Sequence, residues 1–202
     1  LLSRFDVIAY DQPGHGQSSG TATMDFACAG HYLRAVAQEA RRLGYARVYA
    51  VGVSLGAAAA IWAGAEGVPL DGVVSISSPV GPPWLRERIV RPGLLRVFCR
   101  ALGTRIPPVV GVRNMPLEAV GRVAPCPLLV VHCGRDTLIP REASEALFRA
   151  AREPKAWLLD ARALHGTPKH RYGEIVAWLA AIEDEKGKED ARRGSAHRGS
   201  ER

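Results

Sequence analysis

The chain has 202 residues, of which 47% are hydrophobic and 23% charged, and its formal net charge is +7. This length suits one domain with a sizeable core, and no apolar stretch approaches the roughly 18 residues of a membrane-spanning helix. The basic residues lack the aromatic interleaving and the known modules of nucleic-acid-binding proteins, so we expect no nucleic acid partner. The four cysteines and the acidic residues show no metal-binding spacing, which predicts no metal, no cofactor and free thiols in a cytoplasmic protein.

Short apolar runs alternate with segments that repeat apolar residues at helical spacing. In chain order, the predicted elements are strand 5–10, helix 24–43, strand 47–53, helix 55–65, strand 72–77, strand 127–133, helix 142–152, strand 155–159 and helix 169–182. This alternation predicts an α/β fold with a doubly wound, mostly parallel sheet, formed by one core domain over residues 1–182. Residues 183–202 hold six acidic and six basic residues without apolar periodicity, which predicts a disordered charged tail.

A G-x-S-x-G motif, residues 52–56, joins a β-branched and aromatic run to an Ala-rich helix. A serine on a turn too tight for side chains needs glycines two residues before and after it, so that the strand and helix backbones can approach. The turn exposes the serine hydroxyl, and the N–H groups of the following helix point toward the same place. We therefore predict that Ser54 is a nucleophile.

Two residues that a nucleophilic serine needs appear later in the chain. Asp136 follows a fully buried predicted strand, and His165 lies in the loop 160–166 that follows the next strand. His165 would take the proton of Ser54 as general base, and Asp136 would hold the imidazole tautomer and stabilise the imidazolium. Asp160 lies on the same loop as the histidine and is the rival candidate for the acid.

With these motifs the chain resembles the α/β-hydrolase family, and in particular its monoglyceride-lipase and serine-aminopeptidase-like branch. Residues 5–20, with the pattern D-x-x-G-x-G-x-S, look like a strand and loop of that branch. Residues 134–136 match its acid turn, and residues 164–166 match its histidine loop. The resemblance implies an α/β-hydrolase fold and the following site residues: catalytic Ser54, Asp136 and His165, with the Leu55 N–H in the oxyanion hole.

The resemblance also implies that N-terminal strands are missing. The family normally has further strands before the segment 5–10, and one of them would lie between this segment and the strand 47–53. Adjacent strands lie about 4.8 Å apart, so we expect either a gap or a new pairing at this place. The loop after the missing strand would supply the second oxyanion-hole amide. We therefore expect an N-terminally truncated hydrolase fold that is inactive or weakly active by itself.

The segment 80–124 interrupts the alternation of strands and helices. It is rich in proline and apolar residues, and it carries eight arginines. In the family this is where a small helical cap covers the active site and supplies an apolar pocket. A surface connection with its own small core is the alternative, and the arginines form either a solvated face or a weak contact with a membrane surface or an acidic substrate.

Four polar residues near these motifs have simpler structural explanations. Asp11 and His15 are expected to brace the loop after the first predicted strand, and His132 is expected to be a hydrogen-bonded core histidine. Ser77 ends the strand 72–77, where a Ser-Ser-Pro turn accounts for it.

These observations predict a serine hydrolase that cleaves carboxylic esters through an acyl-enzyme intermediate. The apolar residues of the cap favour an apolar acyl or monoacylglycerol-like ester as the small-molecule substrate. Thioester, lactone or peptide-amide hydrolysis is the first alternative, because the triad serves all of these reactions. A catalytically silent binding protein with a hydrolase-like fold is the second.

Overall fold

The computed structural model describes residues 4–84 and 112–199, with side chains as far as Lys188. The elements are α1 (Phe26–Arg42), β1 (Tyr49–Val53), α2 (Leu55–Ala65), β2 (Gly72–Ile76), α3 (Pro116–Ala119), a 3-10 turn (Val120–Arg122), β3 (Leu128–Cys133), α4 (Arg141–Ala150), β4 (Lys155–Asp160) and α5 (Tyr172–Gly199). The strands and helices predicted from residue 24 to residue 160 are all present, with small changes in their ends.

The four strands form one parallel sheet in the spatial order β1-β2-β3-β4. Successive side chains point to opposite faces of a sheet, so each strand contributes to two separate cores. Val73 and Val130 belong to the core that contains α2 and α4, whereas Val74 and Val131 belong to the core that contains α5. Helices therefore cover both faces of the sheet, which confirms the predicted doubly wound α/β architecture.

The prediction of a strand at residues 5–10 is wrong. This segment forms no ladder with any described strand, and β1 is an edge of the four-stranded sheet. Val7 and Ile8 are exposed, and so are Val51 and Val53 on β1. An apolar run becomes a strand only where a neighbour pairs with its backbone, and within residues 4–84 and 112–199 no segment pairs with the outer edge of β1.

Helix α1 begins where its sequence offers a cap. The Asp25 side chain accepts a hydrogen bond from the N–H of Cys28 at 3.2 Å, which satisfies one of the free donors of the first turn. The same carboxylate accepts a bond from the Asn114 side chain at 2.7 Å. The start of α1 is thereby joined to the described C-terminal part of the segment 80–124.

Helix α5 continues to Gly199, through residues for which the sequence predicted a disordered tail. Glu, Lys, Arg and Ala, which are good helix formers, dominate this part of the chain. Lys186 also contacts Asp71, and Asp184 pairs with Arg4, so tertiary contacts accompany the extension. Within the ranges 4–84 and 112–199, no helix is long and apolar enough to cross a membrane.

The predicted cap, residues 80–124, lies mostly outside the described residues. Six of its eight arginines, between residues 86 and 105, lie there too. Of the two described arginines, Arg122 lies 5.3 Å from the ring centroid of Trp62 and donates to the backbone oxygen of Glu118. Arg122 is therefore an exposed residue whose guanidinium contacts the fold at Trp62 and Glu118.

Asp71 at the start of β2 connects three parts of the chain, and replacing it should destabilise the fold. Its buried carboxylate accepts bonds from Arg41 at 2.6 Å, from Lys186 at 2.7 Å and from the N–H of Val48 at 2.9 Å. Burial raises the pKa of this carboxyl, but the bonds from Lys186 and Val48 outweigh burial and the net pKa is lowered. We expect Asp71→Asn to lower the free energy of unfolding at pH 7 by about 1–3 kcal/mol.

The pH dependence follows from the lowered pKa. Asp71 contributes stability above its unfolded pKa, near 3.9, and this contribution is lost as the pH falls through the lower native value. Thermal melts of the variant and the parent should therefore differ at pH 7 and converge in strong acid. Asp184→Asn is the control, because the Arg4–Asp184 pair is exposed and should contribute less than about 1 kcal/mol. An equal loss in both variants would contradict the prediction.

Candidate functional site

Ser54 lies on a sharp turn between β1 and α2. Its φ of 52° and ψ of −115° are strained for a residue with a side chain. A Cβ on Gly52 would lie 2.2 Å from the carbonyl oxygen of Gly56, so only glycine fits at residue 52. A Cβ on Gly56 would meet no described atom within 4 Å. The expectation that glycine is needed for close approach is therefore confirmed for Gly52, and no described atom requires glycine at residue 56.

Asp136 lies in the turn after β3, and its side chain is fully buried. The oxygen Oδ1 accepts bonds from the N–H groups of Leu138 at 2.8 Å and Ile139 at 2.9 Å. The oxygen Oδ2 lies 2.8 Å from Nδ1 of His165. Burial raises the pKa of Asp136, but the hydrogen bonds, above all that with His165, outweigh burial and lower the pKa. The carboxylate is therefore ionised at neutral pH.

His165 lies in the loop between β4 and α5, and its ring is partly exposed. Backbone bonds join the loop to the turn that carries Asp136: Gly134 N–H donates to the oxygen of Asp160, and Arg135 N–H donates to that of Ala163. Because Nδ1 of His165 faces Asp136, its Nε2 is left for another partner. The structure thus pairs the predicted acid with the predicted base.

The turn of Ser54 and the loop of His165 lie against each other. A Cβ on Gly166 would lie 2.5 Å from Cγ1 of Val53, so the residues next to His165 and Ser54 are in contact. The N–H of Ser54 also donates to the oxygen of Ile76, which ends β2. Among the described residues no hydrogen bond joins the Ser54 hydroxyl to His165; the ring bonds to Asp136.

The Leu55 N–H begins α2 and has no acceptor among the described residues, as expected for the first position of a helix. It lies beside Ser54 at the positive end of the helix dipole. A donor at this place could stabilise an anion that forms next to the serine.

Asp160, the rival acid, has a different set of partners. Its carboxylate is buried and accepts bonds from the N–H of Arg162 at 3.1 Å and from the N–H of His170 at 3.0 Å. The His170 ring lies 3.3 Å from the same carboxylate. Burial raises the pKa of Asp160, but these hydrogen bonds lower it overall. Asp160 therefore braces the loop and does not face His165.

The other polar residues near the site have structural partners. Asp11 accepts a bond from the N–H of Gln17 at 2.9 Å within its own loop. The ring of His15 lies 3.3 Å from the backbone oxygen of Pro13. His132 is buried, bonds to Ser144 at 3.0 Å, and has a pKa lowered by burial, which keeps it neutral. No group of three or more potential metal ligands occurs in the described part of the chain.

Sequence reasoning treated Ser77 as a turn residue, but the structure places it inside the site. Its hydroxyl oxygen accepts a bond from the N–H of Gly166, the residue after His165, at 3.1 Å. The only signal in the sequence was a serine at the carboxyl end of a central parallel strand, where the other site residues also occur.

Comparison with known proteins agrees with the fold. A family model described as alpha/beta hydrolase fold matches residues 1–105, just over half of the chain. The structure is similar to the monoacylglycerol lipase of Paleococcus ferrophilus, with a TM-score of 0.61 and 21% identity over 86% of this chain and 82% of the lipase. No curated protein is significantly similar in sequence.

Two esterases give the same result. The esterase domain of a Rhodothermus marinus protein has a TM-score of 0.56 and 23% identity, covering 76% of this chain and 68% of that domain. The Pyrococcus furiosus esterase Pf2001 has a TM-score of 0.58 and 19% identity, covering 86% of this chain and 68% of the esterase. Identities this low establish the fold and not the substrate. Together with the family match over residues 1–105, the fold shows that this chain belongs to the α/β-hydrolase family.

Proposed function

We propose that the protein is a serine hydrolase of carboxylic esters, with Ser54 as nucleophile, His165 as general base and Asp136 as the acid of the triad. The observation that carries the proposal is the 2.8 Å pair between His165 Nδ1 and Asp136 Oδ2 beside the turn of Ser54. In this pair Asp136 selects the tautomer that carries its proton on Nδ1, which leaves Nε2 as a base.

The reaction would proceed in two steps. Nε2 of His165 takes the proton of the Ser54 hydroxyl while Oγ attacks the ester carbonyl, and the Leu55 N–H bonds to the developing oxyanion. Collapse of this intermediate expels the alcohol, which receives the proton from His165, and leaves an acyl-enzyme. Water deprotonated by His165 then attacks the acyl group and releases the acid. The bond between Ser54 and His165 would form with bound substrate, as catalytic hydrogen bonds often tighten only then.

An apolar acyl group is the substrate portion that the sequence favours, because residues 84–102 are rich in Trp, Leu, Ile, Val and Phe. A monoacylglycerol-like ester combines such an apolar acyl chain with a small polar part. Assays with p-nitrophenyl esters of increasing chain length, a thioester, a lactone and a peptide amide would separate the proposed reaction from its alternatives. Turnover of the amide alone would contradict the ester proposal.

Fluorophosphonate labelling tests the nucleophile. We expect the full-length protein to be labelled at Ser54, because a probe of this kind reacts with a serine whose proton is taken by a neighbouring base. Ser54→Ala should abolish labelling and ester turnover without lowering the thermal melting temperature. Ser78→Ala is the matched control, since the Ser78 hydroxyl is buried and, among the described residues, bonds only to the backbone oxygen of Pro79. Labelling that persists in Ser54→Ala would refute the assignment, and no labelling of the parent protein would favour a silent binding protein.

A further inference from the structure

The turn that carries Asp136 runs from the end of β3 to the start of α4, and a buried polar pair joins these two elements. His132 is the next-to-last residue of β3, and Ser144 lies in the first turn of α4. Nδ1 of His132 lies 3.0 Å from Oγ of Ser144, 12 positions later in the chain. Both residues are buried, with exposed fractions of 2% and 3%. Because a buried polar group without a partner is costly, this contact favours one position of α4 against β3.

The His132 ring is also held by the neighbouring strand. It stacks on Trp157 of β4, with ring centroids 6.1 Å apart and planes inclined by 18°. Burial lowers the pKa of His132, so the ring is uncharged at pH 7 and bonds to the Ser144 hydroxyl as a neutral group. The ring is therefore part of the packed sheet, and its bond to Ser144 fastens α4 to that sheet.

The bonds that hold Asp136 come from both ends of its turn. On the side of β3, the N–H of Asp136 donates to the oxygen of Cys133 at 2.9 Å. On the side of α4, Oδ1 of Asp136 accepts the N–H groups of Leu138 and Ile139. Ile139 lies two residues before α4 and is buried in the core that contains this helix. A shift of α4 would therefore move these donors and turn the carboxylate, whose Oδ2 faces His165.

We infer that His132 and Ser144 are positioning residues, which hold α4 against β3 so that the donors of the turn keep Asp136 aligned with His165. This inference rests on the proposed function. Among the described residues, neither member of the pair forms a hydrogen bond with Asp136 or His165, so the pair acts through the turn. Misplacing a catalytic group by about 1 Å can cost about 10²-fold in rate, which sets the upper end of the expected effect.

Ser144→Ala in the full-length protein is the first test. It removes the hydroxyl and leaves the His132 ring in place. We expect kcat for a p-nitrophenyl ester to fall about 10- to 100-fold, with KM changed less than about threefold, because the pair orients the triad and does not bind substrate. An unchanged kcat in folded Ser144→Ala would overturn the inference.

Two substitutions of His132 separate the hydrogen bond from packing, and they keep the test open if Ser144→Ala does not fold. His132→Leu fills most of the space of the ring but removes the polar atom. His132→Asn is smaller, but its amide lies as far from the backbone as Nδ1 and can bond to Ser144. We expect His132→Asn to keep kcat within about threefold of the parent and His132→Leu to lose about tenfold or more. His132→Asn should nevertheless have the lower melting temperature, because it leaves a cavity beside Trp157. A kcat that follows the melting temperature would show a merely structural role and would overturn the inference.

A double-mutant cycle with Asp136→Asn tests whether the pair acts through the acid. In the Asp136→Asn background, Ser144→Ala should slow fluorophosphonate labelling by less than about twofold, because the carboxylate that it positions is already absent. If the pair only stabilises the fold, Ser144→Ala should slow labelling as much in this background as in the parent protein, and the inference would be wrong.

The same cycle distinguishes failure of this inference from failure of the proposed function. A full-length protein whose ester turnover is unaffected by Asp136→Asn would refute the proposed triad. A large effect of Asp136→Asn, together with no effect of Ser144→Ala or His132→Leu on kcat, would leave the triad intact and would overturn only the role of the pair.

Discussion

Replacing Asp136 by Asn should lower kcat by about 10³- to 10⁴-fold while KM changes little. An amide at this position no longer selects the His165 tautomer with its proton on Nδ1, and it cannot stabilise the imidazolium that forms during the reaction. The 2.8 Å contact between Asp136 Oδ2 and His165 Nδ1 would be replaced by a contact with a neutral group. Steady-state kinetics with a p-nitrophenyl ester at neutral pH measures the effect.

Asp160→Asn is the matched control for this experiment. Asp160 is also a buried aspartate at the carboxyl edge of the sheet, and its oxygens accept bonds from Arg162 and His170 instead of His165. We expect this variant to lower kcat by less than about tenfold and to lower the melting temperature, because the loop of His165 loses part of its support. The reverse ranking of the two variants would transfer the role of the acid to Asp160.

Replacing Gly52 by Ala should disrupt the turn of Ser54. The added Cβ would lie 2.2 Å from the carbonyl oxygen of Gly56 and 2.5 Å from the nitrogen of Ala57, and neither backbone atom can move without shifting the start of α2. We expect a loss of about 3 kcal/mol or more in the free energy of unfolding, the upper end of overpacking effects. Labelling of Ser54 by a fluorophosphonate should fall with it, because the serine moves with the helix.

Gly56→Ala should have the opposite effect on stability. No described atom lies within 4 Å of the added Cβ, and alanine is favoured over glycine in a helix by about 1 kcal/mol. Denaturant unfolding measures the free energy of unfolding of the two variants and the parent. We expect the two variants to change it in opposite directions, even though both glycines belong to the same motif. Similar destabilisation in both variants would contradict the prediction, because it would show that glycine is required at both positions whatever space surrounds the added Cβ.

The sequence by itself determined most of the elements and the order of the site residues. The strands and helices between residues 24 and 160 were predictable because apolar periodicity and turn residues are local signals. Ser54, Asp136 and His165 could be proposed from the sequence because each follows a strand, and parallel strands end at one edge of the sheet. Two aspartates, Asp136 and Asp160, were candidates for the partner of His165, and residue type alone could not separate them.

Tertiary structure decided the features that depend on distant partners. Residues 5–10 read as a strand, yet they form none, because a strand exists only through the backbone that pairs with it. The extension of α5 brings Lys186 to Asp71, 115 positions away in the sequence, and no local pattern contains such a contact. The bond from the Gly166 N–H to the Ser77 hydroxyl likewise joins residues 89 positions apart. Local chemistry selects the candidates, and the packing of strand ends determines which of them come within hydrogen-bond distance.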